Sequence, residues 1–386
     1  MFVEQTRKRN RELVDAAFYF HQSGQLLPDS YLIDVDAFCE NGKKILAEAK
    51  KHDFRMYFML KQVGRNPYLA KKLIELGYDG AVTVDFKEAL TMLEHEIPIG
   101  NVGHLVQVPT AMMEKIVAYA PEVMTVYSLD KVYAIDRAAG RLRKKQGILL
   151  RVFGENDTIY SGQTAGFTLD EMKEAVLEIK ENCPNIVIAG VTSFPCYLYK
   201  EEIGEIAATE NLHTLLAAKE RLEELGYHDL IINTPSATCV KTVDMMVRLG
   251  GNCGEPGHGL TGTTPLHAVS DQPEIPAMVY VSEISHNFLG KAYCYGGGHY
   301  RRSHMSHALV GKDERTARML TVLAPSDESI DYHFGLSEQC EVGETVVMAF
   351  RSQIFVTRSD VVLVEGISAG RPKIVGVYDS QGRKKG

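Results

Sequence analysis

The sequence predicts an α/β fold in which a (β/α)8 TIM barrel is joined to a C-terminal all-β domain. From about residue 54 to about residue 265, short apolar, β-prone runs alternate with longer segments of helical period. After residue 275, short β-prone runs are separated by Gly, Asp and Ser turns, with almost no helical period. The 386 residues are enough for one barrel of about 250 residues and a smaller domain.

Eight candidate strands occur in the first region, which is the number that a closed barrel requires. They are predicted at residues 55–60, 81–84, 97–102, 122–127, 148–153, 185–191, 229–234 and 252–256. Amphipathic segments lie between them, with capping residues and glycines where helices should begin and end. The early run SYLIDVDAF is also β-like. We therefore expect residues 1–35 to contribute to the β-domain, residues 36–270 to form the barrel and residues 271–386 to form the C-terminal β-domain.

Composition and charge exclude several classes of partner. The net charge is −8 and the basic residues are dispersed, so a nucleic-acid partner is not expected. No apolar run approaches the roughly 20 residues of a membrane span, and the N-terminus lacks the apolar core of a signal peptide. Seven scattered cysteines without a CxxC pair predict neither a disulfide framework nor a structural zinc site. These features predict a cytoplasmic protein that acts on a small metabolite.

Lys61 is the first candidate for chemistry. It directly follows the first predicted barrel strand, and the active sites of such barrels lie at the C-terminal ends of the strands. The apolar run before it would favour the neutral amine that a Schiff-base lysine needs. An ordinary solvated lysine at a strand end is the alternative interpretation.

The two loops after the last two predicted barrel strands have the composition of a phosphate site. TPSAT (234–238) follows the seventh strand, and EPGHGLTGTTP (255–265) follows the eighth; both are rich in hydroxyl groups and small residues. Loops after strands 7 and 8 commonly bind phosphate in this fold, and barrel closure would bring Lys61 beside them. Alternatively, the first loop is a helix cap and the second a flexible linker.

With these loops, the segment FMLKQVGRNPYLAKKLIELGYDGAVTVDFKEAL resembles the fold-type III enzymes that use pyridoxal 5′-phosphate (PLP). That family includes alanine racemase, D-threonine aldolase and the basic amino-acid decarboxylases, and the similarity is greatest with its YhfX-type branch of amino-acid racemases. The resemblance spans residues 30 to about 380. It implies PLP as the cofactor, with Lys61 as its Schiff-base residue.

The same resemblance implies how the cofactor is held. Ser236 and the backbone of Gly257 and His258 would bind its phosphate, and Thr238 belongs to the same cofactor-binding loop. Phe194, in the run AGVTSFPC, takes the place of the side chain that stacks on the cofactor ring. A loop histidine of no special function is the alternative for His258.

Glu255 departs from the alanine racemase pattern, in which an arginine stands at the matching place. The run EPGH instead resembles EPGR of the decarboxylases, whose glutamate pairs with the pyridine nitrogen. A carboxylate there keeps that nitrogen protonated and makes the ring a stronger electron sink. A structural, helix-capping glutamate is the alternative.

The β-domain carries a second candidate group in the run KAYCYGGGHYRRSH. Its resemblance to a racemase segment implies that Tyr295 is a second base, which the partner subunit of a homodimer inserts opposite the lysine. Cys294 could instead match the cysteine that decarboxylases contribute across their interface. His299, Arg301 and Arg302 would suit a substrate carboxylate or a tyrosinate, since nearby cations lower the pKa of a phenol. Considered alone, the run is typical of a tight β-turn with a packed tyrosine.

Two family features are absent. Arg351 and Gln353 stand where D-threonine aldolase and D-serine dehydratase carry metal ligands, so no metal is predicted and those activities are disfavoured. The arginine that alanine racemase directs at the cofactor hydroxyl has no clear match near Gln163 or Thr164. The substrate must therefore be anchored differently.

The sequence thus favours PLP-dependent racemisation or epimerisation at Cα of an amino acid, with active sites shared across a homodimer. A PLP-dependent decarboxylase is the alternative that Glu255 and Cys294 favour. A non-catalytic PLP carrier and a sugar-phosphate barrel enzyme are further alternatives. The carriers of this fold lack the β-domain, and the sugar-phosphate enzyme leaves Lys61 without a role.

Overall fold

The computed structural model describes residues 2–385. Within them the chain divides into two compact units. The barrel unit consists of residues 45–60 and 70–257, and the sheet unit of residues 2–44, 61–69 and 258–385. The limits at residues 35 and 270 that the sequence suggests for folding domains stay predictions.

The strands in chain order are β1 Ser30–Asp34, β2 Arg55–Met59, β3 Gly80–Thr83, β4 Ile99–Val102, β5 Val123–Val126, β6 Gln146–Arg151, β7 Ile186–Thr192, β8 Tyr197–Lys200, β9 Glu205–Ala208, β10 Ile231–Asn233, β11 Cys253–Gly254, β12 Met278–Phe288, β13 Lys291–Tyr295, β14 His307–Gly311, β15 Arg318–Leu323, β16 His333–Leu336, β17 Thr345–Met348, β18 Asp360–Glu365, β19 Lys373–Tyr378 and β20 Lys384–Lys385. The α-helices are α1 Phe2–Arg9, α2 Arg11–Gln22, α3 Val35–Lys50, α4 Pro67–Leu76, α5 Phe86–Glu94, α6 Met113–Tyr119, α7 Leu129–Arg141, α8 Met172–Asn182, α9 Glu210–Glu224, α10 Val240–Arg248, α11 His258–Thr261 and α12 Pro265–Val269. Short 3-10 turns lie at Lys61–Val63, Thr110–Met112 and Ile354–Val356. No helix within residues 2–385 is both long and apolar enough to cross a membrane.

The barrel unit contains a closed barrel of eight parallel strands, β2 to β7 followed by β10 and β11. Each of the eight predicted barrel strands is present, although the last is only two residues long. The strands are mostly buried, which explains their near-continuous apolar sequence. Helices such as α9 bury one apolar stripe, so their sequence shows a helical period. An antiparallel hairpin of β8 and β9 was not predicted.

The sheet unit contains a sheet of ten strands in the order β13-β16-β15-β14-β17-β12-β1-β18-β19-β20. The early strand β1 lies inside this sheet, antiparallel to β12 and parallel to β18. The other strand pairs of this sheet are antiparallel and are formed by strands from the C-terminal part of the chain. The barrel and this sheet together confirm the predicted fold class.

The N-terminal helices complete the core of the sheet unit. Phe18 and Leu13 of α2 pack with Leu32 of β1 and with apolar residues of β12 and β17. The side chain of Asn10 accepts a hydrogen bond from the Leu13 N–H at the start of α2, so the helix begins at a capped residue. Burying this apolar face accounts for the placement of the helices on the sheet.

Candidate active site

Glu255 follows the last barrel strand, and its carboxylate is almost completely buried. Its Oε1 accepts a hydrogen bond of 2.7 Å from the Asn233 amide, which also donates to the Thr192 hydroxyl at 3.1 Å. The Glu255 backbone N–H donates to the Thr238 Oγ1 at 3.2 Å. Since a buried carboxylate is costly without polar partners, these contacts fix both its position and its orientation.

His104 is the second buried polar group of this cluster. Its Nε2 lies 3.7 Å from the Glu255 Oε2, and both side chains are at most 2% exposed. The Tyr127 hydroxyl donates to the His104 carbonyl at 2.6 Å. At this separation and burial, the two groups are close enough to interact electrostatically.

The backbone before His104 explains its placement. Gly103 follows β4 and has a φ of +90°, and a Cβ there would lie 2.7 Å from the Thr125 carbonyl oxygen. Only glycine fits this turn at the strand end. His104 was not predicted from the sequence, although the Gly-His pair directly after a barrel strand was the available signal.

Phe194, which follows β7, lies against His104. Their ring centroids are 5.6 Å apart in an edge-on arrangement, and the Tyr160 ring lies 5.8 Å from Phe194 on another side. The barrel thus brings Phe194, His104 and Glu255 together. Stacking of Phe194 on a cofactor ring stays a prediction.

In the loop 234–238, the two predicted side chains have partners within the barrel unit. The Ser236 hydroxyl donates to the Tyr197 carbonyl at 2.8 Å, and Thr238 accepts from the backbone of Glu255. Ser236 and Ala237 have left-handed φ angles of 98° and 54°. Such a turn can direct successive backbone N–H groups toward an anion. The backbone of this loop therefore suits a phosphate better than the Ser236 hydroxyl does.

Lys61 and His258 both belong to the sheet unit. Lys61 opens a 3-10 turn and is half-buried. Burial first, and then the nearby Arg351, Lys61 and His267, hold the pKa of the His258 imidazole well below its usual value. Its Nδ1 lies 3.1 Å from the Thr263 hydroxyl, whereas its buried Nε2 has no hydrogen-bond partner. A neutral imidazole among cations can donate a hydrogen bond to an anion. Gly257, also predicted to bind phosphate, is buried at the end of the barrel unit.

Tyr295 and Cys294 end strand β13 and face opposite sides of it. Tyr295 is 39% exposed, and its ring lies 5.9 Å from that of His333 on the neighbouring strand. Cys294 is completely buried, and this burial raises the pKa of its thiol to about 12. A role for Cys294 across a subunit interface stays a prediction, which the burial of its side chain inside the sheet does not favour.

The turn after Tyr295 borders a cavity. His299 and Arg301 line a space of about 270 Å³ together with Asp327 and Asp331. The Arg301 guanidinium pairs with Asp327 at 3.5 Å, and the pKa of His299 is lowered chiefly by burial. Arg302 is exposed on the same turn. The polar lining of both signs suits a zwitterion such as an amino acid.

Arg351 and Gln353 stand where relatives carry metal ligands, and no metal was predicted. Among residues 2–385, no group of three His, Cys, Asp or Glu side chains has an arrangement that could hold a metal ion. Arg351 instead lies close enough to His258 to influence its titration.

Sequence comparison identifies relatives over both parts of the chain. A family model described as alanine racemase, N-terminal domain, matches residues 33–265. A second model, described as YhfX-like, C-terminal domain, matches residues 279–374. The protein YhfX of Escherichia coli (strain K12), whose function is uncharacterized, is 46% identical over 387 residues that cover all of both chains.

Solved structures share the same fold. D-threonine aldolase from Filomicrobium marinum has a TM-score of 0.68 at 15% identity, over 93% of this chain and 96% of its own. Alanine racemase from Clostridium difficile 630 has a TM-score of 0.62 at 17% identity, over 92% and 99%. Diaminopimelate decarboxylase from Helicobacter pylori has a TM-score of 0.66 at 14% identity, over 95% and 97%.

At these identities, the solved structures establish the fold alone. The family rests on the two sequence matches, one of which covers more than half of the chain and the other its whole length. They confirm the resemblance that the lysine segment and the EPGH run indicated. This protein therefore belongs to the alanine racemase family, in its YhfX-like branch.

Proposed function

We propose that this protein is a PLP-dependent amino-acid racemase or epimerase that works as a homodimer. The observation that carries the proposal is the contrast at the end of β13. Tyr295 is exposed, whereas the neighbouring Cys294 is completely buried. The side chain that the chain can offer to a partner's site is therefore a phenol, which can accept and return a proton.

We infer that PLP is the cofactor. Lys61 would hold it covalently through Nζ, Glu255 would contact the pyridine nitrogen, and the 234–238 loop with Gly257 and His258 would bind the phosphate. The buried Glu255 carboxylate and the buried, unpartnered His258 Nε2 support this assignment. When bound, PLP supplies a conjugated ring that withdraws electrons from Cα.

Different residues of the chain would orient the cofactor, transfer the proton and bind the substrate. Asn233 orients the Glu255 carboxylate and His104 lies beside it, and this carboxylate would accept a hydrogen bond from a ring N–H. Lys61 on one face of Cα and the partner's tyrosine on the other would remove and return the proton, as racemisation by two bases requires. His299 and Arg301 suit the substrate carboxylate because they border a polar cavity.

A PLP-dependent decarboxylase is the second candidate. Glu255 favours it, since a carboxylate at the pyridine nitrogen strengthens electron withdrawal at Cα. The burial of Cys294 weakens this alternative, because the thiol that it requires across the interface is enclosed in its own sheet.

The deciding experiment uses the purified wild-type protein reconstituted with PLP. A panel of single-enantiomer amino acids is incubated in D₂O, and both deuterium at Cα and released CO₂ are followed. We expect deuterium in both enantiomers of at least one amino acid, without CO₂. Stoichiometric CO₂ would establish the decarboxylase instead, and no deuterium with any amino acid would refute the racemase.

A further inference from the structure

The three glycines after Tyr295 pack too closely against the sheet unit for any side chain. A Cβ on Gly296 would collide with the Asp331 carbonyl oxygen, and one on Gly298 would collide with the Tyr280 ring. At Gly297, which has a φ of +135°, a Cβ would overlap the Asp29 carboxylate. The run GGG is therefore required by close approach, and a simple β-turn does not explain it.

Buried hydroxyl groups hold the carbonyls of this segment. The Ser282 hydroxyl donates to the Tyr295 carbonyl at 2.7 Å, and the Tyr280 hydroxyl lies 3.4 Å from the same oxygen. The Tyr31 hydroxyl donates to the Gly298 carbonyl at 2.6 Å. Ser282 and Tyr31 are each at most 1% exposed, so the two hydrogen bonds that they donate are shielded from water.

Two N–H groups at the ends of the segment also have partners. The Gly296 N–H donates to the Tyr332 carbonyl at 2.9 Å, and the His299 N–H donates to the Asp331 carboxylate at 3.1 Å. Arg358 pairs with the same carboxylate at 3.1 Å. The backbone on both sides of the glycines is thus tied to fixed groups.

Asp29 lies at the centre of these contacts. Its Oδ1 accepts hydrogen bonds from the Tyr280 hydroxyl at 3.0 Å and from the Ser359 hydroxyl. Its carboxylate lies directly beneath Gly297. Burying a carboxylate is costly unless it is hydrogen-bonded, and these two hydroxyl groups supply such bonds.

We propose that Asp29 and Tyr280 are positioning residues for Tyr295, because they hold the Gly296–Gly298 segment and thereby fix where the tyrosine is presented at the surface. An exposed side chain that serves another subunit cannot be fixed by packing within its own core. Its backbone must therefore be rigid. The catalytic importance of this rigidity rests on the proposed function, whereas the rigidity itself does not.

The first test compares Tyr280→Phe with Tyr133→Phe in the full-length protein. Tyr280→Phe keeps the buried ring and removes only the hydroxyl. Tyr133→Phe removes a hydroxyl that donates to Glu178 at 2.6 Å, far along the chain. We expect amide hydrogen exchange in residues 296–299 to be at least tenfold faster in Tyr280→Phe alone, with exchange elsewhere unchanged. Equal exchange in both variants would overturn the proposal.

The second test compares Gly297→Ala with Gly290→Ala. Both glycines have positive φ, but a Cβ at Gly290 meets nothing within 4 Å, whereas at Gly297 it meets Asp29. We expect kcat for Cα exchange to fall by about 10- to 100-fold in Gly297→Ala, with KM and PLP occupancy near wild type. Asp29→Ala should behave likewise, and Asp29→Asn should retain most of the activity. An equal kcat in the two glycine variants would overturn the proposal.

Failure of the proposed function can be recognised separately. If the wild-type protein exchanges no Cα proton, the racemase proposal fails. The hydrogen-exchange comparison needs no turnover, so it still decides whether Asp29 and Tyr280 fix the segment.

Discussion

The two units hold their candidate functional groups in opposite ways. In the barrel unit, the Glu255 side chain is at most 2% exposed, and its carboxylate accepts a hydrogen bond from the Asn233 side chain and lies 3.7 Å from the His104 imidazole. In the sheet unit, Tyr295 is 39% exposed, and the contacts of its segment are made through the backbone. A group that meets a small ligand inside its own barrel can be fixed at the side chain. A group that must reach another subunit has to be fixed through its backbone.

The same contrast governs the electrostatics. Inside the barrel, low dielectric strengthens the interaction between the His104 imidazole and the Glu255 carboxylate. At the sheet surface, water screens charges near Tyr295, so geometry is the main property that the protein can control there.

Lys61→Ala should have the largest effect, because Lys61 is proposed both to hold the cofactor and to exchange the Cα proton with the partner's Tyr295. We expect turnover to disappear together with the visible absorption of bound PLP, while the fold remains intact, since a half-buried lysine contributes little to packing. Absorption spectra and Cα exchange of purified proteins measure both effects. Lys71→Ala, on the exposed side of α4, is the control. If PLP stays attached to the variant after borohydride reduction and denaturation, the assignment of Lys61 is wrong.

Subunit mixing tests whether Tyr295 acts outside its own chain. Inactive Lys61→Ala and inactive Tyr295→Phe proteins, mixed and allowed to exchange subunits, should regain partial activity. One site of each heterodimer would then carry both wild-type residues. Cα exchange measures the recovery, and differently tagged subunits verify that exchange has occurred. Verified heterodimers without activity would contradict a shared site.

Glu255→Gln tests whether the buried carboxylate of the barrel unit contributes to the reaction. If the carboxylate supplies electron withdrawal through the ring nitrogen, Cα deprotonation should slow by about 10²-fold, which corresponds to about 2.7 kcal/mol of barrier. PLP occupancy should change little, because Asn233 can still hydrogen-bond the amide. His104→Phe should have a smaller effect in the same direction, since it removes only the more distant neighbour. A loss of PLP binding with an unchanged rate constant would show instead that Glu255 is structural.

The barrel and the all-β domain were predictable because local patterns encode them. The strands are short apolar runs, and the helices show a period that their own burial imposes. Lys61, Glu255 and Tyr295 could be nominated because they stand beside recognisable runs. Their roles still stay predictions.

His104 and Asp29 were not predictable in this way. His104 lies about 150 residues from Glu255, and only barrel closure brings β4 and β11 to a common interior. Asp29 is about 270 residues from Gly297, and a ten-stranded sheet joins them. The burial of Cys294 was likewise invisible, since a side chain's face depends on strand register.

The smallest expected effect is a pH dependence of stability that comes from the buried Asp29 carboxylate in the sheet unit. Burial raises the pKa of Asp29 from 3.8 to about 6, against the opposing effects of the Ser359 and Tyr280 hydroxyls and of Arg358, with Asp331 adding to the rise. The folded protein therefore binds this proton more tightly than the unfolded chain does. The stability that Asp29 contributes is complete below about pH 4 and is lost as the pH rises to about 6, by about 2 to 3 kcal/mol in total.

Asp29→Asn should remove this dependence, because the amide does not titrate, and asparagine tolerates the left-handed φ of 61°. The melting temperature of the variant relative to wild type should therefore rise by a few °C between pH 4 and pH 7. Thermal unfolding measured across that range provides the comparison. Asp53→Asn is the control, since Asp53 has a φ of 51° but is exposed. The melting temperatures of Asp29→Asn and wild type could instead change in parallel between pH 4 and pH 7. In that case ionisation of Asp29 does not destabilise the folded protein.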